Sequence, residues 1–152
     1  MFICLRLSGR PTTLILKGKA VSPMKKCVLV AEDEKHLATL IKFTLEQNGY
    51  FVAAASNGKE ALSCCENKRP HLIISDIKMP IMDGIEFKRR LLDSESLAGI
   101  PFIFLTARAQ NIDVVEGLNL GVNKYITKPF EPNQLLAAVK TALGESCSSG
   151  LE

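Results

Sequence analysis

Four short apolar runs in this chain end in residues suited to metal and phosphorus chemistry. The run 27–31 is followed by Glu32-Asp33-Glu34, the run 71–75 by Asp76, the run 101–105 by Thr106, and the short run 124–126 is soon followed by Lys128-Pro129. Clustered carboxylates repel one another, so a site that gathers them holds a cation, and all-oxygen ligands with room for water suit Mg2+. One carboxylate of such a cluster is also a nucleophile toward phosphorus. The cation would screen it from an anionic phosphoryl donor, while Lys128 and the Thr106 hydroxyl would stabilise charge on the transferred group. Singly these residues say little. An acid after a strand is more often a helix cap, a threonine at a strand end is usually structural, and a lysine before proline is usually just exposed. The weight lies in four strand ends that each supply a fitting chemical type.

Those residues need a scaffold that brings them to one edge, and the hydrophobic pattern supplies one. The continuous apolar run 27–31 reads as a strand buried on both faces. Leu37, Leu40, Ile41, Thr44 and Leu45 follow at helical spacing and stop at Asn48-Gly49. A second strand is expected over 51–55, then a helix with Ala61, Leu62 and Cys65, and a third strand over 71–75 after Pro70. A loop with Pro80 and Asp83-Gly84 leads into a helix carrying Ile85, Phe87, Leu91 and Leu92. The fourth strand spans 101–105, a helix spans about 111–120 with Gly121 as its stop, and the fifth strand spans 124–126. Beyond Pro129 a last helix carries Leu135, Leu136, Val139 and Leu143. Five strands alternating with five helices predict an open α/β fold with a parallel sheet and right-handed crossovers. Five strands are too few for an eight-stranded barrel. In such sheets the site lies beyond the carboxyl ends of the strands, where strand order reverses. If the order is 2-1-3-4-5, the acids after strands one and three converge.

The 152 residues suffice for one domain, and a hydrophobic share of 47% with 23% charged residues excludes a disordered chain. The net charge of +3 is misleading. Arg6, Arg10, Lys17 and Lys19 put +4 on residues 1–23, which hold no acid, so the rest of the chain is nearly neutral and a poor nucleic-acid binder. That leader is expected to be a basic, disordered extension or the product of an upstream start, because Met24 opens a natural-looking beginning; a basic arm touching a partner or a membrane surface is the functional alternative. Residues 24–144 form the expected domain and 145–152 a polar tail. Arg6, Arg10, Lys17 and Lys19 break every apolar run of the leader before it reaches the ~7–15 residues of a secretory signal core. No stretch approaches the ~18 apolar residues of a membrane span. Cys4, Cys27, Cys64, Cys65 and Cys147 are odd in number with no CxxC, which argues against disulfides or structural zinc and for a reducing, cytoplasmic setting.

The stretches Val28-Leu29-Val30-Ala31-Glu32-Asp33-Glu34, Ile73-Ile74-Ser75-Asp76-Ile77-Lys78-Met79-Pro80, Met82-Asp83-Gly84, Phe104-Leu105-Thr106-Ala107 and Lys124-Tyr125-Ile126-Thr127-Lys128-Pro129-Phe130 resemble the receiver domains of two-component response regulators. They stand in family order over about residues 25–143. The resemblance implies a flavodoxin-like (βα)5 three-layer sandwich. It implies Asp76 as phosphoacceptor, and Mg2+ (or Mn2+) held by Asp33, Asp76 and the backbone carbonyl of Lys78, with Glu32 acting through bound water. Thr106 and Lys128 match the family's hydroxyl and lysine, and Tyr125 matches its switch aromatic. A cis Lys128–Pro129 bond is common in relatives.

The implied function is a phosphoacceptor module. A histidine kinase or histidine phosphotransfer protein donates a phosphoryl group to Asp76, and the surface of helix four, strand five and helix five then changes as Thr106 is drawn in and Tyr125 moves. Such a protein is not a conventional enzyme: it catalyses its own phosphorylation and dephosphorylation. Lys78 and Arg108 occupy positions that tune those rates in the family, with exposed side chains of little effect as the equal alternative. Downstream partners would be a protein target or a fused output domain, with dimerisation through the same surface left open. Three alternatives are weaker. A flavin or nucleotide binder needs a loop rich in Gly, Ser or Thr after strand one, where Glu32-Asp33-Glu34 would repel phosphate. A haloacid-dehalogenase-type phosphatase carries a second Asp two residues past its nucleophile, where Lys78 stands. A phosphorylation-independent scaffold usually lacks one of the acids or the lysine, and none is missing.

Overall fold

Alternation within each strand explains how the sheet comes to be covered on both sides. In β1 (Cys27–Ala31), Leu29 and Ala31 join one core while Val28 and Val30 join the other. The same division holds for Ile73 against Leu72 and Ile74 in β3 (Leu72–Asp76), and for Phe102 and Phe104 against Ile103 and Leu105 in β4 (Phe102–Thr106). The remaining strands are β2 (Phe51–Ala55) and β5 (Lys124–Thr127). All neighbours pair in parallel, in the order β2-β1-β3-β4-β5. The computed structural model describes residues 14–16, 19–21 and 25–145.

Helices cover both faces. Ile41 and Leu45 of α1 (Lys35–Gln47) and Leu135 and Val139 of α5 (Pro132–Ala142) close one core. Ala61 and Cys65 of α2 (Gly58–Asn67), Phe87 and Leu91 of α3 (Gly84–Leu92) and Val115 of α4 (Gln110–Gly117) close the other. The result is the expected three-layer α/β sandwich with the 2-1-3-4-5 order. No helix among the described residues is long and apolar enough to cross a membrane.

Four helix starts carry side-chain caps: at α5 Gln134 accepts from the Glu131 amide (2.8 Å), and at the other three the cap satisfies backbone N–H groups that the helix leaves unpaired. Glu34 accepts from the amides of His36 (2.9 Å) and Leu37 (3.2 Å), Asn57 from Glu60 (2.8 Å), and Asp83 from Glu86 (2.8 Å). Glu34, third of the acidic run, is therefore committed to α1. The start of α4 has no such side-chain cap.

Several boundaries differ from the pattern-based expectation, the end of the fifth strand at Thr127 among them. β3 and β4 each reach one residue further, so Asp76 and Thr106 are the last residues of strands and not the first of loops. Their ladder bonds continue past them: Ile77 N–H donates to Leu105 C=O (3.2 Å) and Lys128 N–H to Thr106 C=O (2.7 Å). The fourth helix ends at Gly117 and not at 120, because Asn119 already turns into the left-handed region (φ +54) two residues before Gly121 (φ +73). Asparagine tolerates that conformation better than most side chains. Within the leader, a short antiparallel ladder pairs Leu14–Leu16 with Lys19–Val21 in the register Leu16↔Lys19, so this part is paired backbone and not irregular chain. The other residues of the leader and the tail from 146 onward lie outside the described residues, and with them Cys4 and Cys147.

Candidate functional site

The carboxyl end of the sheet is where the chemistry-bearing side chains meet. Glu32 follows β1 directly, and its amide still bonds the Ala55 carbonyl of β2 (3.0 Å). That anchor keeps its carboxylate inside, with Glu32 only 2% exposed, whereas the next residue, Asp33, is exposed. Asp76 lies on the neighbouring strand, 8% exposed. Glu32, Asp33 and Asp76 each offer a carboxylate oxygen within 4.8 Å of the others.

Lys128 ties this acid cluster together. Its Nζ lies 2.8 Å from Asp76 Oδ2 and 2.9 Å from Glu32 Oε1. The Lys128 amide is bonded to the end of β4, which brings the lysine to this edge. The Lys128–Pro129 peptide bond is cis. Burial dominates the electrostatics of Glu32. It raises the carboxyl to about 7, the Asp76 charge adds to the rise, and the Lys128 bond and the Glu34 amide oppose it. For Lys128 burial pulls the other way, but the hydrogen bonds to Asp76 and Glu32 and their charges outweigh it, so the ammonium is held above its ordinary range. The arrangement is two carboxylates and one shared ammonium in a partly dry pocket, with a further carboxylate at its rim.

A cavity of about 190 Å³ opens beside Asp76, lined also by Lys78, Thr106, Arg108, Asn111 and Lys128. It brings together every residue expected to touch a phosphoryl group, but not all in contact. The Thr106 hydroxyl does not touch Asp76. It donates to the Arg108 carbonyl (2.9 Å) and accepts from the Arg108 amide (3.1 Å). Lys78 and Arg108 are exposed at the cavity mouth, and the Lys78 amide makes only a long contact, 3.4 Å, to Asp76 Oδ1. Tyr125 lies apart from the cavity. It is half-buried at the end of a row of rings, 6.2 Å between centroids from Phe104, which stands 4.8 Å from Phe102 and so connects to Phe87 of α3. Its outer side borders a groove of about 520 Å³ along β5 and α5.

Three residues of the site escaped the sequence reading as contributors. Gly84 N–H donates to Ile77 C=O (2.8 Å), and a Cβ on Gly84 would fall onto the Asp76 carbonyl oxygen and 2.9 Å from the Phe104 ring. Glycine is thus required for α3 to seat against the strand end that presents Asp76. Ile81 sits at φ +70 in a three-residue turn closed by Met82 N–H to Pro80 C=O (2.7 Å), the geometry of a strained γ-turn, and is 78% exposed. Asn111 reaches back from the first turn of α4 to Thr106 Oγ1 at 3.4 Å. Asp83-Gly84 was legible as a turn, but nothing in the spacing signalled Ile81 or Asn111.

Known proteins share this arrangement. The family model described as the response regulator receiver domain matches residues 28–140. The alkaline phosphatase synthesis transcriptional regulatory protein PhoP of Bacillus subtilis is 42% identical over 123 residues, covering 81% of this chain and 50% of the relative. The chain spans about half the length of the curated relatives it matches. Among solved structures, the chemotaxis response regulator CheY4 of Vibrio cholerae superposes with a TM-score of 0.73 at 31% identity, over 78% of this chain and 99% of that one. The receiver domain of a sensor histidine kinase from Pseudomonas aeruginosa, solved with a magnesium ion coordinated in its active-site cleft, gives a TM-score of 0.73 at 30% identity, over 80% and 99%. With its parallel five-stranded sheet and an acid cluster tied by one lysine at the sheet's carboxyl end, this chain belongs to the response regulator receiver domain family of two-component signalling.

Proposed function

We propose that Asp76 is the phosphoacceptor of this receiver, charged by a histidine kinase or a histidine phosphotransfer protein. The observation that carries the reading is the Asp76 carboxylate itself. It is nearly buried, bonded to Lys128 at 2.8 Å, and opens onto a cavity of about 190 Å³. A carboxylate oxygen of Asp76 attacks phosphorus. The new O–P bond forms as the N–P bond of the donor phosphohistidine breaks, and the bonding pair stays on the histidine nitrogen. Lys128 shifts from Asp76 and Glu32 to a phosphoryl oxygen, and the Thr106 hydroxyl turns from the Arg108 carbonyl to another. Water later attacks phosphorus, the bond to Asp76 breaks with its electron pair on the carboxylate oxygen, and the carboxylate is restored as inorganic phosphate leaves. Lys78 and Arg108, at the cavity mouth, set the rate of that hydrolysis by meeting phosphoryl oxygens or obstructing the water.

The acid cluster fits a divalent cation, since three carboxylate groups place oxygens within 4.8 Å of one another. Asp33, Asp76 and the Lys78 carbonyl would hold Mg2+ directly and Glu32 through water, with Mn2+ suited to the same donors. The ion supplies charge neutralisation between the attacking carboxylate and the phosphoryl oxygens. Withdrawal of Thr106 frees space at the end of the ring row, Tyr125 moves, and the face made by α4, β5 and α5 presents a different surface to a protein target, a fused output domain or a second copy. A cytoplasmic setting accords with the free thiols at Cys27, Cys64 and Cys65.

Intact-mass spectrometry after incubation with Mg2+ and acetyl phosphate tests the reading. The parent should gain one phosphate that Asp76→Ala does not gain and that a chelator prevents. Equal phosphate on parent and variant would move the acceptor elsewhere. A cation-binding parent that gains none from acetyl phosphate or from any kinase would favour a phosphorylation-independent scaffold.

A further inference from the structure

We infer that Asn111 is a positioning residue: its side-chain amide holds the Thr106 hydroxyl in the β4–α4 loop, away from Asp76, and so sets how readily the switch engages. The inference rests on the reading of Asp76 as phosphoacceptor and of Thr106 as the hydroxyl that follows the phosphoryl group.

The hydroxyl of Thr106 has one hydrogen to give and two lone pairs to offer. In this structure all are used by Arg108 of the loop and Asn111 of α4. The hydrogen goes to the Arg108 carbonyl at 2.9 Å, and the lone pairs take the Arg108 amide at 3.1 Å and Asn111 Nδ2 at 3.4 Å. Meeting a phosphoryl group on Asp76 requires the oxygen to swing into the cavity that both residues line, which breaks these bonds. The two Arg108 contacts are backbone contacts and belong to any residue at that position. The Asn111 contact is made by a side chain, so it is the part of the hold that sequence can set. Asn111 is half-buried on the first turn of α4, whose start lacks a side-chain cap. Its amide therefore also fastens that turn to the end of β4, and release of Thr106 loosens the beginning of α4 in the same step.

The test is calorimetric titration of the Mg2+-loaded protein with beryllofluoride, a phosphoryl analogue, on the full chain. Asn111→Ala removes the amide, and Asn111→Leu keeps its bulk without its donor. Thermal melting confirms that both are folded; alanine and leucine are better helix formers than asparagine. Both variants should bind the analogue more tightly, roughly two- to fourfold, the weight of one long hydrogen bond. In a Thr106→Ala background the same substitutions should change nothing, because the group being held is gone. Unchanged affinity in both variants overturns the inference. So does a gain that persists without Thr106, which would assign Asn111 to α4 packing alone, or weaker binding, which would make its amide a direct phosphoryl contact. A parent that binds no analogue overturns the phosphoacceptor reading itself, and this inference with it.

Discussion

The two halves of the sheet's carboxyl end are built differently. On the β1–β3 side, Glu32 and Asp76 are nearly buried, share one ammonium, and sit between helices whose starts are capped by Glu34, Asn57 and Asp83. On the β4–β5 side, the Thr106 hydroxyl bonds to Arg108 of the following loop and to Asn111 of α4, α4 is eight residues long with no side-chain cap, and Tyr125 is half-buried against one ring. Val114 on α4 is 63% exposed. The first half fixes charge in place. The second has few contacts to lose and several hydrogen bonds to exchange, which is the constitution of an element that moves. A switch needs both, since a phosphoryl group bound to a yielding frame would do no work on the far side.

Substitutions that cross this boundary sharpen the contrast. The largest loss is expected for Gly84→Ala, whose new methyl meets a backbone carbonyl that cannot yield; roughly 3 kcal/mol of stability, near the upper end for overpacking, should disappear in chemical denaturation. Val114→Ala, on the other half, should stay within about 0.5 kcal/mol. Comparable losses at the two sites would erase the distinction. Lys128→Met comes next. It leaves Glu32 and Asp76 unpaired at a site that is partly solvent-screened, so a loss of about 1–2 kcal/mol is expected at pH 8.

The stability of the metal-free parent should depend on pH with a definite sign. Glu32 is raised to about 7, chiefly by burial, so the metal-free fold takes up a proton between the ordinary carboxylate range and pH 7 that the unfolded chain does not. Its contribution is full below about 4.5 and is lost as pH rises through 7. In chelated buffer, the melting temperature of the parent should therefore fall relative to Glu32→Gln between pH 5 and 8. A difference that stays flat, or grows in favour of the parent, would show that Glu32 is already ionised in the fold. The smallest expected effect is Ile81→Gly. Relief of a β-branched residue at φ +70 outweighs the entropy of glycine by about 0.5 kcal/mol, and almost no packing is lost at an exposed side chain.

Much of this was readable from residue types. The continuous apolar runs gave β1, β3 and β4, because a strand buried on both faces needs no polar alternation, while β2 is apolar in sequence but half exposed, and the sheet order brought Glu32 and Asp76 together as expected. What stayed hidden was local. Asp33 and Glu32 are adjacent and chemically alike, yet one is exposed and the other nearly sealed, a difference set by the Glu32 amide bonding to β2. Lys88 reads as a surface residue of an amphipathic helix. In the fold its stem is buried and its ammonium lies 5.1 Å from the Phe102 ring centroid, with its pKa lowered by that burial. The bond from Asn111 to Thr106 spans five residues across a loop whose path no periodicity predicts.

The most direct test of a fixed charge site coupled to a movable far side is hydrogen exchange with mass-spectrometric localisation, run with and without Mg2+ and acetyl phosphate. The phosphate should map to the peptide containing Asp76. Exchange should change across Thr106 to Thr127, including α4 and β5, and remain as it was in α3. Phosphate on another peptide, or an exchange response confined to α3 with α4 and β5 unaltered, would contradict the account.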